Sequence, residues 1–250
     1  MNAPSRPAIL AIASGKGGVG KTWFAISLSH ALAKQGKKTL LFDGDLGLAN
    51  VDIQLGLTPE TDLAAVADGT VSLESAITLY PEGGFDILAG RSGSGNLAML
   101  GAEKLREICG GLIALSEKYQ ATILDLGAGV ERPVRILASA AALSYVVLTD
   151  EPTSLTDAYA FIKLSRAATP NADLRVVVNM AASLSEGQKT YETIRKVCES
   201  FLHYTPPLAG IIRRDSKVRD AIRAQTSLLT RSPVSDAAQD VEGIARQLRF

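Results

Sequence analysis

The stretch from Ser14 to Thr22 constrains the fold of this chain most. It reads SGKGGVGKT and lies between the apolar run AILAIA and the helical pattern WFAISLSHALAKQ. The fixed positions of the motif G-x-x-x-x-G-K-[ST] are filled by Gly15, Gly20, Lys21 and Thr22. A strand before this motif and a helix after it are the context in which it cradles phosphate. Small residues let successive backbone N–H groups turn inward around an anion, and the helix points its positive end at the same place.

The loop therefore predicts a nucleotide that carries a polyphosphate and is bound with Mg²⁺. Lys21 would reach the β and γ phosphates and assist catalysis, and the Thr22 hydroxyl would coordinate the metal. A glycine-rich turn that binds nothing is the alternative. The predicted nucleotide contacts in the loop are Gly15, Lys16, Gly17, Gly18, Val19, Gly20, Lys21 and Thr22.

Length and composition place limits on the class of protein. A chain of 250 residues can bury a sizeable core, and we expect one domain over residues 1–250. Lys plus Arg and Asp plus Glu number 26 each, so no overall charge draws the protein to nucleic acid or membrane. The first ten residues lack a signal-peptide core, and no segment reaches about 20 consecutive apolar residues. Two cysteines without C-x-x-C spacing fit a reducing compartment, so we expect a cytoplasmic protein.

Short apolar runs alternate with helical patterns along the chain. The runs are continuous rather than alternating, as in parallel strands covered on both faces. They predict an α/β fold with a doubly wound, mostly parallel sheet and helices on both faces. The predicted strands are Ala8 to Ala13, Thr39 to Phe42, Phe85 to Leu88, Ala121 to Leu126, Tyr145 to Thr149, Leu174 to Asn179 and Leu208 to Ile212.

Seven segments have helical patterns. Pro133 suits the first turn of its helix, and Asp215 suits the capping position of another. The glycine-rich stretch Glu82 to Gly95 is expected to include a mobile surface loop near the nucleotide. The predicted helices are Thr22 to Gln35, Ala102 to Lys118, Pro133 to Ala142, Ser154 to Ala168, Ser185 to Leu202, Asp215 to Gln225 and Ser235 to Leu248.

Acidic residues follow two of the predicted strands. Hydrolysis of a γ phosphate needs a carboxylate that orients water and others that hold Mg²⁺. We assign the first role to Asp45, with Asp43 as a ligand of the metal or of its water, although ordinary loop acids are the alternative. Asp125 ends the strand ATILDL and is predicted to hold Mg²⁺, usually through water. Gly127 follows it and is the predicted amide donor to the γ phosphate. The predicted metal-site residues are Thr22, Asp43, Asp45 and Asp125.

A second lysine, Lys16, makes the loop read K-G-G-V-G-K-T, which resembles the deviant Walker A motif of the MinD/ParA family of P-loop NTPases. The resemblance covers Ala8 to Leu248. It implies that Lys16 crosses to the phosphates bound by a partner subunit, where it acts in catalysis, and that ATP binding produces a homodimer. A solvated surface lysine is the alternative. The acids after the second strand resemble the family's switch I, and the segment after Asp125 resembles its switch II.

The same resemblance suggests how the base is held. Asn179 ends the strand LRVVVN, and the family uses an asparagine here to recognise adenine, although a turn-forming or capping role remains open. The segment GIIRRDSKVRDAI is similar to the family's I-P-x-D-x-x-V-R-x-A segment beside the base. Arg213 stands where that pattern has proline. We predict that Arg213 contacts the nucleotide.

Several segments, EPTSLTDAY above all, resemble the branch of flagellar-number regulators (FlhG, also called FleN). The resemblance implies slow ATP hydrolysis, an ATP-dependent dimerisation switch and control of flagellar number or placement. The implied partners are the flagellar GTPase FlhF, a flagellar transcription regulator or switch-complex proteins. Membrane association at the inner face of the cell membrane is a further family property. The acidic face of the last predicted helix favours a core-covering role instead.

The alternative function is that of a ParA-type partition or positioning ATPase that binds nonspecific DNA. Residues 161–231 carry 12 basic and six acidic side chains, which is the basis for this alternative. Because the basic residues are interleaved with acids, solvated helix faces are the simpler interpretation. We therefore do not expect DNA to be the main partner.

Overall fold

The computed structural model describes residues 8–90 and 100–249. Eight strands in this part of the chain form one sheet in the order β3-β4-β2-β5-β1-β6-β7-β8. Every neighbouring pair is parallel except β3 and β4, which are antiparallel. The strands are β1 Ala8–Ser14, β2 Thr39–Gly44, β3 Ile77–Tyr80, β4 Phe85–Leu88, β5 Ala121–Ala128, β6 Leu143–Leu148, β7 Asp173–Ala181 and β8 Leu208–Arg213.

Ten described helices connect or follow these strands. Several begin as their sequences predict: Pro133 lies in the first turn of its helix, and the Asp215 carboxylate accepts a hydrogen bond from the N–H of Lys217. The helices are α1 Lys21–Lys34, α2 Val51–Leu55, α3 Leu63–Ala67, α4 Ala102–Ser116, α5 Arg132–Ala138, α6 Pro152–Ala168, α7 Leu184–Leu202, α8 Ser216–Arg223, α9 Leu228–Arg231 and α10 Asp236–Arg246.

The sheet is covered on both faces, which explains why its central strands are apolar without alternation. Along β1, Ile9 and Ala11 enter one core layer with α4 to α7, whereas Leu10 and Ile12 enter the other with α1 and α10. The doubly wound, mostly parallel fold is therefore confirmed. Because the loop after β1 and the ends of β2 and β5 lie at the same edge, the sheet brings the predicted site residues together.

Some predicted boundaries and elements differ from the structure. The short helices α2, α3 and α9 and the edge strand β3 were missed, since four or five residues carry too little periodicity. Glu82 to Gly95 was predicted to be a mobile loop. Phe85–Leu88 within it is a strand, as also predicted, and residues 91–99 lie outside the described residues.

The last helix, α10, packs on the sheet rather than lying apart from it. Its apolar stripe is buried against α1 and β8, with Val241 and Ala245 fully covered. Val234, which precedes the helix, is exposed instead. No helix in the described part of the chain combines the length and apolar character needed to cross a bilayer.

Candidate functional site

The loop between β1 and α1 has the shape that its glycines predict. Gly18 and Gly20 have φ values of 78° and 90°, a region that favours glycine. A Cβ atom on Gly15 would lie 2.1 Å from the backbone oxygen of Asp157, in the second turn of α6. A Cβ atom on Gly20 would lie 2.4 Å from the side-chain nitrogen of Asn179. The loop is therefore packed on its protein side, whereas a Cβ atom on Gly18 would meet nothing within 4 Å.

Lys16 is held by the chain that carries it. Its ammonium group forms an ion pair with Glu151 and donates a hydrogen bond of 2.8 Å to the hydroxyl of Thr153. Both partners lie at the beginning of α6, which packs beside the loop. The lysine side chain is about one-third exposed, so it can reach solvent when this contact breaks.

Lys21, Thr22 and Asp125 lie together below the loop. Lys21 is buried, which lowers its pKa, while the carboxylates of Asp125 and Asp45 act in the opposite direction. Asp125 is 1% exposed, and neither carboxyl oxygen has a hydrogen-bond partner within the described residues. Burial raises the pKa of Asp125 to about 7, although the nearby Thr22 hydroxyl and Lys21 favour its charged form. A buried carboxyl group that lacks a hydrogen-bond partner and lies beside Lys21 is chemically suited to bind a metal ion.

The Asp43 carboxylate makes contacts that the sequence did not predict. Its buried carboxylate accepts hydrogen bonds from the backbone N–H groups of Asp45, Asn50 and Val51 at 3.1 to 3.3 Å. It also lies directly across the ladder from Asp125. Burial and the charge of Asp125 raise the pKa of Asp43, against these three hydrogen bonds. Asp43 therefore shapes the loop that follows β2, and its predicted part in metal binding remains a prediction.

Asp45 and Gly127 meet where the loop after β2 passes the end of β5. A Cβ atom on Gly127 would lie 3.4 Å from an Asp45 carboxyl oxygen, so glycine leaves room for this acid. The same oxygen accepts a hydrogen bond of 3.1 Å from the N–H of Leu48. The segment with Asp45 and the segment with Gly127, both predicted to lie near the γ phosphate, are thus close to each other.

These residues fit a nucleotide with its metal ion. Gly17 and Gly18 leave open backbone toward solvent, and Lys21 supplies a buried positive charge. Asp125 offers two unpartnered oxygens beside Thr22, and hard oxygen ligands of this kind suit Mg²⁺ that also binds phosphate. Thr22 and Asp125 would hold Mg²⁺, and the loop would hold the phosphates.

A cavity of about 440 Å³ adjoins the phosphate loop. Gly20 belongs to both the loop and the cavity wall, so a ligand whose phosphates lie in the loop would place its next group in this cavity. The other walls come from α1, the end of β7 and helix α8. The apolar and amide-bearing residues that line it are Trp23, Asn179, Met180, Val218 and Ile222.

The two predicted base contacts both lie at this cavity, but their side chains are already engaged. The Asn179 amide nitrogen donates a hydrogen bond of 2.8 Å to the backbone oxygen of Val19. The Arg213 guanidinium forms paired 2.9 Å hydrogen bonds with Asp240 and an ion pair of 2.7 Å with Asp236. Asn179 thus braces the phosphate loop, and Arg213 fastens β8 to α10. Contact of either residue with a base remains a prediction.

The sequence reasoning did not identify several residues of the site. Glu151 and Thr153 lie more than 130 residues from Lys16, and only the fold brings them to it. Met180 has a φ of 56°, a strained value for a non-glycine residue, and the cavity wall includes it. Of the missed residues, Trp23 alone could have been noticed in the sequence, because it is a large aromatic residue directly after the phosphate-loop motif.

Comparison with known proteins places the chain in a family. Residues 10–228 match the CobQ/CobB/MinD/ParA nucleotide binding domain. The antiactivator FleN of Pseudomonas aeruginosa is 36% identical over 240 residues, which cover 96% of this chain and 85% of the relative. The flagellum site-determining protein YlxH of Helicobacter pylori is 32% identical over 243 residues, which cover 94% and 80%.

A solved structure agrees with this assignment. The septum site-determining protein MinD of Pyrococcus horikoshii, complexed with Mg-ADP, superimposes with a TM-score of 0.81 at 25% identity. The match covers 96% of this chain and 95% of the other. The chain therefore belongs to the MinD/ParA family of P-loop nucleotide-binding proteins, with flagellar regulators among its relatives.

Proposed function

We propose that this protein is an ATP-dependent dimerisation switch, with slow Mg²⁺-dependent hydrolysis that resets it. The observation that carries the proposal is the buried, unpartnered Asp125 carboxyl group beside Lys21 and Thr22 under an open phosphate loop. Leaving such a group without a partner is costly unless a ligand completes it. The Mg-ADP complex of the related MinD supports a nucleotide and metal at this place.

Hydrolysis follows from what the side chains can do. Lys21 holds the terminal phosphates and offsets the charge that develops on them, and Asp45 orients a water for attack. Gly127 lies close to Asp45, and we propose that its backbone N–H donates to the terminal phosphate. Mg²⁺, when bound, neutralises charge on the phosphate oxygens. Because Lys16 of a second subunit is needed to complete this site, we expect slow turnover by the single chain.

Lys16 connects the site to dimerisation. In the single chain its charge is neutralised by Glu151, away from the chain's own phosphates. A triphosphate presented by a second copy is a stronger attraction than one partly exposed carboxylate, because the phosphates carry several negative charges. Transfer of Lys16 from Glu151 to the partner's nucleotide would then link ATP binding to dimer formation.

The biological setting is proposed from the relatives. Two of them are named as a flagellar antiactivator and a flagellum site-determining protein, which supports a regulator of flagellar number or placement. The partners proposed are the GTPase FlhF, a flagellar transcription regulator or switch-complex proteins. We place the protein in the cytoplasm, with peripheral attachment to the inner membrane face as a further property of this class.

Nonspecific DNA binding is the competing function, and the structure gives it little support. Arg175, Arg195 and Arg213 of the basic third are each paired with acids. An arginine that is already paired with an acid attracts DNA phosphates less, so fewer basic residues of this region are free to bind them. ATP-dependent DNA binding that weakens with salt would favour this function, and no binding at low salt would exclude it.

Two measurements on the purified chain test the proposal. Calorimetry with ATP should give Mg²⁺-dependent, one-to-one binding, and phosphate release should be slow but Mg²⁺-dependent. Asp125→Asn should lose the metal dependence while keeping its fold. Absence of Mg²⁺-dependent adenine nucleotide binding would overturn the proposal.

A further inference from the structure

We propose that the indole of Trp23 is a specificity-determining wall of the base pocket, so that this tryptophan holds the base of the nucleotide bound in the phosphate loop. The inference rests on the proposed function, because it assumes that the loop binds a nucleotide. It goes further by naming a residue that contributes to binding of the base but not to binding of the phosphates.

The position of Trp23 follows from the motif. It comes directly after Thr22, in the first turn of α1, so its backbone lies next to the phosphate loop. Its side chain is 6% exposed and lines the 440 Å³ cavity together with Gly20. The neighbouring Phe24 is fully buried and packs on Tyr145, with ring centroids 6.1 Å apart. The two aromatic residues of this turn therefore have different surroundings, and of the two only Trp23 lines the cavity.

The opposite walls have matching chemistry for a planar ring. Two aliphatic side chains, Val218 and Ile222, line the cavity from α8. The thioether of Met180 lines it from the end of β7. A flat aromatic ligand can pack on an indole and on a thioether together. Three exposed arginines, Arg214, Arg219 and Arg223, also line the cavity, and their positive charge exceeds the negative charge of Asp215 in the same wall. Flat, partly apolar and anionic is the chemistry of a nucleotide.

Fold stability alone does not account for a tryptophan here. Its indole N–H is buried and has no acceptor within hydrogen-bond distance among the described residues. A buried donor without a partner destabilises the folded chain, so a phenylalanine would serve a purely structural role better. The uncovered part of the residue, about 6%, borders the cavity, where a base can pack on it. Base-on-aromatic packing is worth about 5-fold to 150-fold in affinity, and we expect the lower part of that range for a ring that is mostly covered.

The experiment uses this residue both as variant and as probe, since the chain contains one tryptophan. Binding of ATP and of inorganic tripolyphosphate, each with Mg²⁺, is measured by calorimetry for the native chain, Trp23→Phe and Trp23→Ala. We expect Trp23→Ala to weaken ATP binding about tenfold and to leave tripolyphosphate binding unchanged, with Trp23→Phe in between. In the native chain, ATP should change the tryptophan fluorescence saturably and tripolyphosphate should change it much less.

Phe24→Leu is the matched control, because it perturbs the same turn but not the cavity. It should lower the thermal midpoint without changing the ratio of ATP to tripolyphosphate affinity. If Trp23→Ala weakens both ligands equally, or neither, Trp23 has no role toward the base and the inference is overturned. If the native chain binds tripolyphosphate and ATP equally well, the inference is also wrong, whereas failure to bind either ligand rejects the proposed function itself.

Discussion

Lys16 of the phosphate loop is ion-paired with Glu151 at the start of α6, and this contact occupies the lysine that the resemblance assigns to a partner's nucleotide. Thr153 accepts a second hydrogen bond from the same ammonium group. This contact stabilises the single chain, so the proposed transfer of Lys16 to a partner's nucleotide would have to break it. An ion pair with this exposure contributes about 0.2 to 1 kcal/mol, which sets the size of the opposition.

Glu151→Gln should therefore strengthen ATP-dependent dimerisation. Removing the carboxylate charge weakens the hold on Lys16. Because each chain of a symmetric dimer breaks one such contact, we expect the dimer dissociation constant to fall by up to about 30-fold. Analytical ultracentrifugation with a slowly hydrolysed ATP analogue measures this. Glu186→Gln, which removes an exposed partner of Lys189 elsewhere, is the control. A weaker dimer in Glu151→Gln would show that Glu151 itself belongs to the interface.

Asp45→Ala should separate hydrolysis from binding. The Asp45 side chain accepts a hydrogen bond from the N–H of Leu48, and its backbone N–H donates to Asp43, so neither contact involves the phosphate loop. Loss of the residue that orients the attacking water should slow phosphate release about 100-fold or more. ATP affinity should change little. Asp52→Asn in the same acidic segment is the control, and an active Asp45→Ala would reassign the role.

His30 should make the folded chain sensitive to acid. It is buried on α1, its Nδ1 lies 2.8 Å from the Ser227 hydroxyl, and burial lowers its pKa to about 4. Because the unfolded pKa is about 6.5, the unfolded chain takes up the proton first, and stability is lost as pH falls from 6.5 toward 4. Between pH 7 and pH 5 this group should lower the free energy of unfolding by about 2 kcal/mol.

Urea unfolding of the native chain and of His30→Gln at both pH values tests this effect. Glutamine can keep a hydrogen bond to Ser227 but does not titrate. The variant should lose about 2 kcal/mol less than the native chain over this interval. Equal losses in the two proteins would show that His30 accepts its proton in the folded state.

Asp240 should matter for stability more than its place on a surface helix suggests. Its side chain is 10% exposed and accepts hydrogen bonds from the backbone N–H and the guanidinium of Arg213. Asp240→Ala should lower the free energy of unfolding by about 1.5 to 3 kcal/mol, because the Arg213 backbone N–H loses its acceptor and the guanidinium keeps only its contacts with Asp236. Arg246→Ala, on the exposed side of α10, should change it by less than about 0.5 kcal/mol in the same urea titration. Similar losses would argue against the fastening role of Arg213.

The phosphate loop and the central strands could be predicted from the sequence because their signals are local. Fixed spacing and continuous apolar runs were enough to place Lys21 and Asp125 near each other. The partners of Lys16 could not be predicted, since Glu151 approaches it only when β6 takes its place beside β1. The role of Asp43 was also hidden: an acid at a strand end looks the same whether it faces a metal or caps the next loop.

The cavity beside the loop shows the same limit. Its walls come from segments more than 100 residues apart, so no local pattern announces the meeting of Trp23 with Met180 and Val218. Arg213 was noticed because it departs from a family pattern. Its actual partners on α10 follow only from the packing of that helix against β8.

We propose, above all, that a nucleoside triphosphate joins two copies of this chain. Size-exclusion chromatography with light scattering, run with Mg²⁺ and either ADP or a slowly hydrolysed ATP analogue, tests it most directly. We expect the mass of a monomer with ADP and the mass of a dimer with the analogue. Lys16→Ala should have the mass of a monomer with either nucleotide. A native chain that binds the analogue and stays a monomer, or a Lys16→Ala variant that dimerises normally, would contradict it.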